Sequence, residues 1–414
     1  MKAVVIGGGI IGLSAAYFLQ KSGWEVTVVD KSDLSNNCSY GNLGMIVPSH
    51  FVPLAAPGII SQGIRWMFNN KSPFYVKPSF NSDLISWGLK FVRSATAKHV
   101  EASAIPLLEL NLLSKKLYEE LATVPGFDFG LEHKGIIMYY KTEKVGEEEM
   151  HQGEKGRQMG LDVVALTKNE LQLLEPDVEL NVLGGVHYRS DGHLSPNQLM
   201  PQLIEHLKNA GVQFETNSPV KRIIKEGKRV KKVVTSKDEL DADIVVMTGG
   251  SLLPQLAKLA GVSISLMPGK GYSFTLDQPQ QKLNIPAILC EARVAITPMS
   301  GKIRFGGTME IAPINNKINT NRVRGIVESV PKYFSNMQLQ MPDENRIWYG
   351  FRPCTPDGLP YLGFAKNVNN LLIAGGHAMS GLSLGPASGL VISELANKQK
   401  TTLDIKAFNP ARFS

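Results

Sequence analysis

AVVIGGGIIGLSAAYFL, residues 3–19, followed by EVTVVD at 25–30, decides how this chain begins to fold. Ala3–Ile6 is a short apolar run rich in β-branched residues and reads as a buried parallel strand. Gly7, Gly9 and Gly12 follow as GxGxxG, and the apolar period then predicts a helix from about Ile10 to Ser22. Each glycine has its own task. Gly7 permits the tight turn, Gly9 lets backbone N–H groups approach a pyrophosphate, and Gly12 lets the helix lie close to the strand. The helix N-terminus faces the phosphates, where unpaired N–H groups and the helix dipole favour negative charge. Glu25–Val29 reads as a second strand, closed by Asp30, near the roughly 20-residue spacing at which a carboxylate accepts hydrogen bonds from an adenosine ribose. The unit is a dinucleotide site. The same stretch has the length of a short membrane span behind one lysine, but four glycines in six positions make a poor spanning helix, so neither anchor nor signal peptide is expected.

Composition narrows the class. The 414 residues exceed the roughly 100–200 of a typical domain, so one large α/β enzyme or two to three domains are expected. With 43% hydrophobic and 20% charged residues, the chain has ample core and is no disordered tail. The surplus of 44 basic over 37 acidic residues, +7, is too diffuse to mark a nucleic-acid binder. Three cysteines, Cys38, Cys290 and Cys354, show no CxxC spacing, which argues for a reducing, cytoplasmic setting and against a disulfide frame or metal site. Neither a second GxGxxG nor a redox CxxC occurs, so the substrate itself must supply the electrons.

Further along, five prolines punctuate 45–80, with a short helix expected near Ile59–Phe68. Ser82 or Asp83 is expected to cap a helix to about Thr96, and Pro106 to separate it from a second over Leu107–Leu121. Gly135–Tyr140 reads as a strand, and Thr142 caps a polar helix whose Glu147–Glu149 run is read as solvated. A helix from Pro196 to Ala210 leads to a strand near Val212–Glu215 and a β meander ending at Asp241. Ile244–Met247 is a strand ending in Thr248, Gly249 and Gly250, with a helix at 252–260; residues 266–310 alternate as antiparallel strands and 318–335 return to helix. Leu371–Ala374 runs into a glycine loop and a helix at 387–397. Three glycine-ended strands, at Ile6, Met247 and Ala374, imply one sheet assembled from distant segments, with the cofactor laid across its carboxyl edge.

Four segments together resemble the FAD-dependent D-amino-acid oxidase and dehydrogenase family, especially its bacterial D-amino-acid dehydrogenase branch. They are VVIGGGIIGLSAAYFL with Asp30, SYGNLGMIVPSHFVPLAAPG at 39–58, GFRPCTPDGLPYLG at 350–363, and AGGHAMSGLSLGPASG at 374–389. The resemblance implies an α/β fold, with a discontinuous Rossmann-like FAD-binding domain (1–80, 185–265 and 346–414) and a mostly antiparallel α+β substrate domain (81–184 and 266–345). It implies noncovalent FAD held by Gly7, Gly9, Ile10, Ile11, Gly12, Asp30 and Lys31, by Ser39, Asn42, Leu43 and Gly44, and by Val220, Gly249, Gly250, Gly376, Gly381, Leu382 and Ser383. Sarcosine-oxidase relatives attach FAD through a cysteine, but Cys354 does not occupy the equivalent spacing. Arg352 matches the arginine that grips the substrate carboxylate. A guanidinium offers two parallel N–H bonds to a planar carboxylate, which lysine cannot copy.

The implied chemistry is two-electron oxidation of a D-amino acid at Cα, giving an imino acid. Tyr272 and His377 are candidate catalytic groups beside Arg352, and His50, Tyr272 and Arg293 are candidate substrate contacts. Oxidase members place a tyrosine where this chain has Glu291, Ala292, Arg293 and Val294, so a different pocket is expected. SHFVPLAAPG and SLGPASG resemble the cis-4-hydroxy-D-proline dehydrogenase branch, with D-proline, broader D-amino acids and glycine or sarcosine-type amines as other substrates. The dehydrogenase reading brings a quinone or other carrier as electron acceptor, and with it peripheral contact with the inner membrane surface. The competing readings are a noncatalytic or RNA-linked flavoprotein and a nicotinamide-driven thiol or quinone reductase.

Overall fold

The computed structural model describes residues 1–58, 74–76 and 81–413; the short helix expected near Ile59–Phe68 lies outside them. The opening strand, Lys2–Ile6, lies at the centre of a six-stranded sheet. The strand order is Tyr361–Phe364, Leu371–Gly375, Ile244–Met247, Lys2–Ile6, Glu25–Val29, Gln213–Glu215. From Leu371 onward the pairing is parallel, with Val5 opposite both Val246 and Val28. Continuous apolar runs suit this sheet because both of its faces are covered. Val5 and Val246 face a cluster built with the helices Ile10–Lys21 and Gly381–Ala396, whereas Val4, Ile6 and Val245 face one that includes Leu253 and Ala257. The two long helices nearly touch: a Cβ on Gly389 would lie 2.4 Å from the backbone carbon of Ser14.

Three helix boundaries differ from those expected. Asn81, not Ser82 or Asp83, caps the helix Ser82–Ser94, its side chain accepting from the N–H groups of Asp83 and Leu84. Pro106 lies inside one helix, Ala97–Ala122, where Ser103, Leu107, Leu110, Ser114, Leu117 and Leu121 form an unbroken buried stripe. Burial on that scale outweighs the roughly 3 kcal/mol that an interior proline costs. The last helix starts at Gly381 rather than 387. Pro386 has no N–H for the carbonyl of Leu382, and the buried hydroxyl of Tyr118 donates to that oxygen instead, at 2.7 Å.

The second sheet runs Trp348–Cys354, Met267–Leu276, Lys302–Ile311, Val294–Met299, Ala287–Leu289, Ile136–Tyr140, Gly184–Tyr188, Val163–Thr167, with Phe74–Val76 beside Lys302–Ile311. It is mostly antiparallel; Ala287–Leu289 against Ile136–Tyr140 is parallel. The strands Phe74–Val76, Gly184–Tyr188 and Trp348–Cys354 belong to this sheet, although the expected division places the first and last, and the middle one from residue 185 on, with the cofactor region. Alternation sorts its two faces. Tyr272, Phe274, Ile296, Ile303 and Phe305 form an apolar face under Val323, Ile326 and Val330 of the helix Thr320–Tyr333. Ser273 and Arg304 face the other way, toward the loop around Gly41.

Arg304 fastens that loop. Its guanidinium donates to the carbonyls of Tyr40 and Asn42, both at 2.7 Å, to Asn197 Oδ1 at 3.1 Å and to Thr275 Oγ1 at 3.2 Å. Arg304→Met removes this fork and leaves part-buried carbonyls unpaired; unfolding stability should fall by about 2–3 kcal/mol in a urea titration. Gly12→Ala would set a Cβ 1.8 Å from the Gly7 carbonyl oxygen. The turn must then move, and the variant should purify with its FAD absorbance lost or strongly reduced.

Candidate active site

The carboxyl edge of the parallel sheet gathers the glycines expected to hold the cofactor. Gly7, with φ +115°, lies so close to Thr248 that a Cβ would come within 2.8 Å of its carbonyl oxygen. The Thr248 hydroxyl is placed to donate to the carbonyls of Ile6 and Gly7, tying the two strand ends together. At Gly9 the space is open: a Cβ would meet nothing nearer than Ser39 Oγ at 3.6 Å. Gly9 and Ser380 precede the helices Ile10–Lys21 and Gly381–Ala396, and neither residue caps its helix with a side chain. Asp30 accepts from Gly8 N at 2.7 Å on Oδ2, and from Ser32 N and Oγ on Oδ1, which leaves a lone pair on Oδ2 for a ribose. Lys31 is exposed beside it. Gly249 and Gly250 end the neighbouring strand, with nothing within 4 Å of a Cβ on Gly250. These residues fit the adenosine and pyrophosphate of FAD.

The loop at 36–44 lies along the same edge. Asn37 donates to the Gly8 carbonyl at 3.2 Å, and Ser39 Oγ accepts from Ile10 N at 3.0 Å. Asn42 donates to the Met379 carbonyl at 3.3 Å and accepts from Gly44 N at 2.9 Å. Leu43 packs at Gly306. Gly376 and Gly381 bracket a loop in which Ala378 has φ +47°. Leu382 and Ser383 turn inward: Leu382 is buried, and Ser383 Oγ donates to Asn111 and accepts from Val47 N. Val220 is half-buried past Gln213–Glu215, near Ser218, whose N–H binds the Asp30 carbonyl.

Arg352 reaches across its neighbouring strand. A Cβ on Gly271 would lie 2.4 Å from Cζ, Nη1 and Nη2, so only glycine leaves the guanidinium its place. A register shift near Lys270 and a left-handed Thr308, φ +64°, turn two carbonyls toward the arginine. Nη1 donates to the Thr308 carbonyl, and Nη2 lies 3.5 Å from that of Gly307. Among the described residues no carboxylate pairs with Arg352, and its pKa is lowered by burial. A cation withdrawn from water without a counter-charge attracts an anionic ligand.

The other proposed contacts divide. Tyr272 lies on the opposite face of the sheet, in the core under Thr320–Tyr333, with its hydroxyl accepting from Asn319 N at 3.1 Å. Strand alternation therefore turns it away from Arg352, which corrects the catalytic and substrate roles expected for it. His377 is turned onto the last helix. Ser388 gives its proton to the Leu384 carbonyl, so His377 Nε2–H donates to Ser388 Oγ at 2.9 Å. Burial lowers the His377 pKa to about 3, leaving a neutral packing residue in place of the expected catalytic group. Arg293 is exposed in a turn, φ +52°, and its charge acts on Glu149. Glu149 is correspondingly half-buried beside Cys290 and Arg293, not solvated with Glu147 and Glu148.

His50 sits on a loop pinned at two points. Val47 N donates to Ser383 Oγ at 3.0 Å, and Leu54 packs with Met309, Cys354 and Ala378 beside the arginine strand. The His50 ring meets Ser49 Oγ, which in turn meets Asp191. Arg304 and Asp191 were not among the expected site residues. In the sequence, Arg304 is one charged residue in an alternating strand and Asp191 one of several turn-formers, so only an alternation count at IRF could have flagged the first.

Residues 2–395 match the model of the family described as FAD dependent oxidoreductase. A D-amino acid dehydrogenase of Helicobacter pylori is 31% identical over 396 residues, 95% of this chain and 94% of its own. One from Allorhizobium ampelinum is 28% identical over 410 residues, 98% of this chain and 96% of its own. Among solved structures, glycine oxidase from Geobacillus kaustophilus has a TM-score of 0.80 at 24% identity, covering 100% of this chain and 98% of its own. L-proline dehydrogenase from P. horikoshii has a TM-score of 0.74 at 22% identity, covering 100% and 97%. These last two show a shared fold. With a glycine edge that fits FAD and a family match over almost its whole length, this chain belongs to the FAD-dependent oxidoreductases and takes FAD as its cofactor.

Proposed function

We propose that the protein is an amino-acid dehydrogenase that oxidises the Cα–N bond of a D-amino acid, with cis-4-hydroxy-D-proline or D-proline as its substrate. The observation that carries the reading is Arg352, a cation held over Gly271 by backbone carbonyls and, among the described residues, paired with no carboxylate. An amino acid supplies the missing charge. Its carboxylate receives the two parallel N–H bonds of the fork, fixing Cα relative to the cofactor edge. FAD, when bound, accepts the Cα hydrogen and its two electrons as hydride. The hydroxyproline assignment draws on the resemblance of SHFVPLAAPG and SLGPASG, and a cyclic amine would leave as a pyrroline carboxylate.

Noncovalent FAD fits the cysteine beside the arginine. Cys354 is closed off, its Sγ 3.8 Å from Met309 Sδ, and burial pushes its thiol up to about 12, so it is no ready nucleophile. The electrons leave to a quinone or similar carrier. Among the described residues no helix is long and apolar enough to cross a membrane, so any membrane contact in this reading is peripheral.

Anaerobic mixing with a panel of D- and L-amino acids, including both hydroxyproline epimers, tests the proposal directly. The flavin absorbance should bleach fastest with cis-4-hydroxy-D-proline or D-proline; bleaching by NADH alone would instead favour a nicotinamide-driven reductase. Arg352→Lys should raise KM at least roughly tenfold while FAD stays bound, because losing one charge-assisted bond costs about 1.5–3 kcal/mol. Gly271→Ala should raise KM in the same way by displacing the fork, and unchanged kinetics in both variants would refute the carboxylate grip.

A further inference from the structure

We propose that Asp191, Ser49 and His50 form a proton relay that removes the ammonium proton of the bound substrate and so frees the nitrogen lone pair for oxidation. The proposal rests on the reading that the substrate is an amine. Two distant segments supply the chain: Ser49 and His50 from the loop after Val47, and Asp191 from the turn after Gly184–Tyr188. Asp191 is fully buried. Ser49 N donates to Asp191 Oδ1 at 2.9 Å, and Ser49 Oγ donates to Oδ2 at 2.5 Å. Oγ also lies 3.0 Å from His50 Nδ1.

A hydroxyl has one proton, which fixes the order of the chain. With Asp191 ionised, Ser49 gives its proton to the carboxylate, so His50 Nδ1–H must donate to Ser49. Nε2 then carries a lone pair, and among the described residues no side chain or backbone group bonds to it. The loop that carries His50 is pinned at Ser383 and at Leu54, which packs with Cys354 two residues from Arg352, so this loop runs beside the arginine strand.

In the step, the substrate N–H bond breaks and its proton goes to His50 Nε2. The Nδ1 proton moves to Ser49 Oγ, and the Ser49 proton moves to Asp191 Oδ2. The products are a neutral amine, a neutral His50 carrying its proton on Nε2, and a protonated Asp191. One positive and one negative charge disappear together, and no buried imidazolium forms. Burial favours this direction. It raises Asp191 to about 7, near the operating range of a general base, and lowers His50 to about 4, so the proton settles on the carboxyl. Lys115, from the helix Ala97–Ala122, faces Asp191 and opposes the rise, while its Nζ donates to the Ser190 carbonyl at 2.8 Å. Tyr188 faces it from its own strand, with Glu149 and Cys290 beyond; burial holds the Tyr188 phenol protonated.

The signature is a histidine that changes tautomer without charging. In the FAD-loaded protein, 15N NMR of labelled histidine, with His50 assigned through His50→Gln, should show Nδ1–H above about pH 7 and Nε2–H below it. Ser49→Ala breaks the wire while keeping both ends, and Asp191→Asn removes the acceptor. Each should leave His50 without the exchange and slow flavin reduction roughly 100-fold near neutral pH, with recovery at high pH where the amine arrives already deprotonated. Should Asp191→Asn fail to fold, Ser49→Ala alone decides. An ordinary imidazolium titration of His50, or a Ser49→Ala reduction profile like the wild type, would overturn the relay. Failure of every amino acid to bleach the wild-type flavin would instead sink the amine reading, which the NMR result does not touch.

Discussion

The arrangement depends on how one mostly antiparallel sheet is held against the glycine edge of a parallel one. Arg304 does this with four hydrogen bonds, two of them to carbonyls of the loop that lies along the cofactor edge. A loop of small and polar residues has little apolar surface with which to hold itself. Its carbonyls are instead gripped by a rigid planar fork, and Ser273 adds a bond to the Gly41 carbonyl at 2.9 Å. Because Arg304 and Arg352 project from the same face of that sheet, the hold that fixes the loop also fixes the distance from Arg352 to the glycine edge.

The two arginines differ in how fully they are satisfied. Arg304 has acceptors on every nitrogen, and burial brings its pKa down to about 10, still a cation at neutral pH. Arg352 has a firm bond to one carbonyl and a long one to another and, among the described residues, no carboxylate. A saturated guanidinium is structural; an unsaturated one is available for binding. The backbone strain near it has the same origin. Thr308 adopts a left-handed φ in the bulged strand, which turns its carbonyl toward Arg352, and Gly271 clears the path between them.

Burial sets where the protons sit around this edge. His377 is held neutral against Ser388, Cys354 is held as a thiol, and His50 is joined through Ser49 to a buried carboxyl. A desolvated imidazole resists charging and a desolvated carboxylate seeks a proton, so a chain linking the two moves a proton toward the carboxyl end.

The phosphate turn, the parallel strands and the arginine motif were legible in the sequence because each rests on local chemistry: only glycine tolerates the close approaches at Gly7 and Gly12, and continuous apolar runs belong to strands covered on both faces. Helix boundaries at Pro106 and Pro386 were misread because distant partners, a buried stripe and the Tyr118 hydroxyl, compensate a local defect. The same distance hid Arg304, Ser49 and Asp191, whose partners lie far away along the chain. Tyr272 shows the converse case, since the sequence can announce a tyrosine on a strand but the face it occupies follows from the register of its neighbours and from which side the helix covers. Sequence alone thus determined the glycine turn at the sheet edge and picked out the charged fork; only the tertiary structure decided which polar side chains share the fork's face, because that is set by pairing between strands that the chain places far apart.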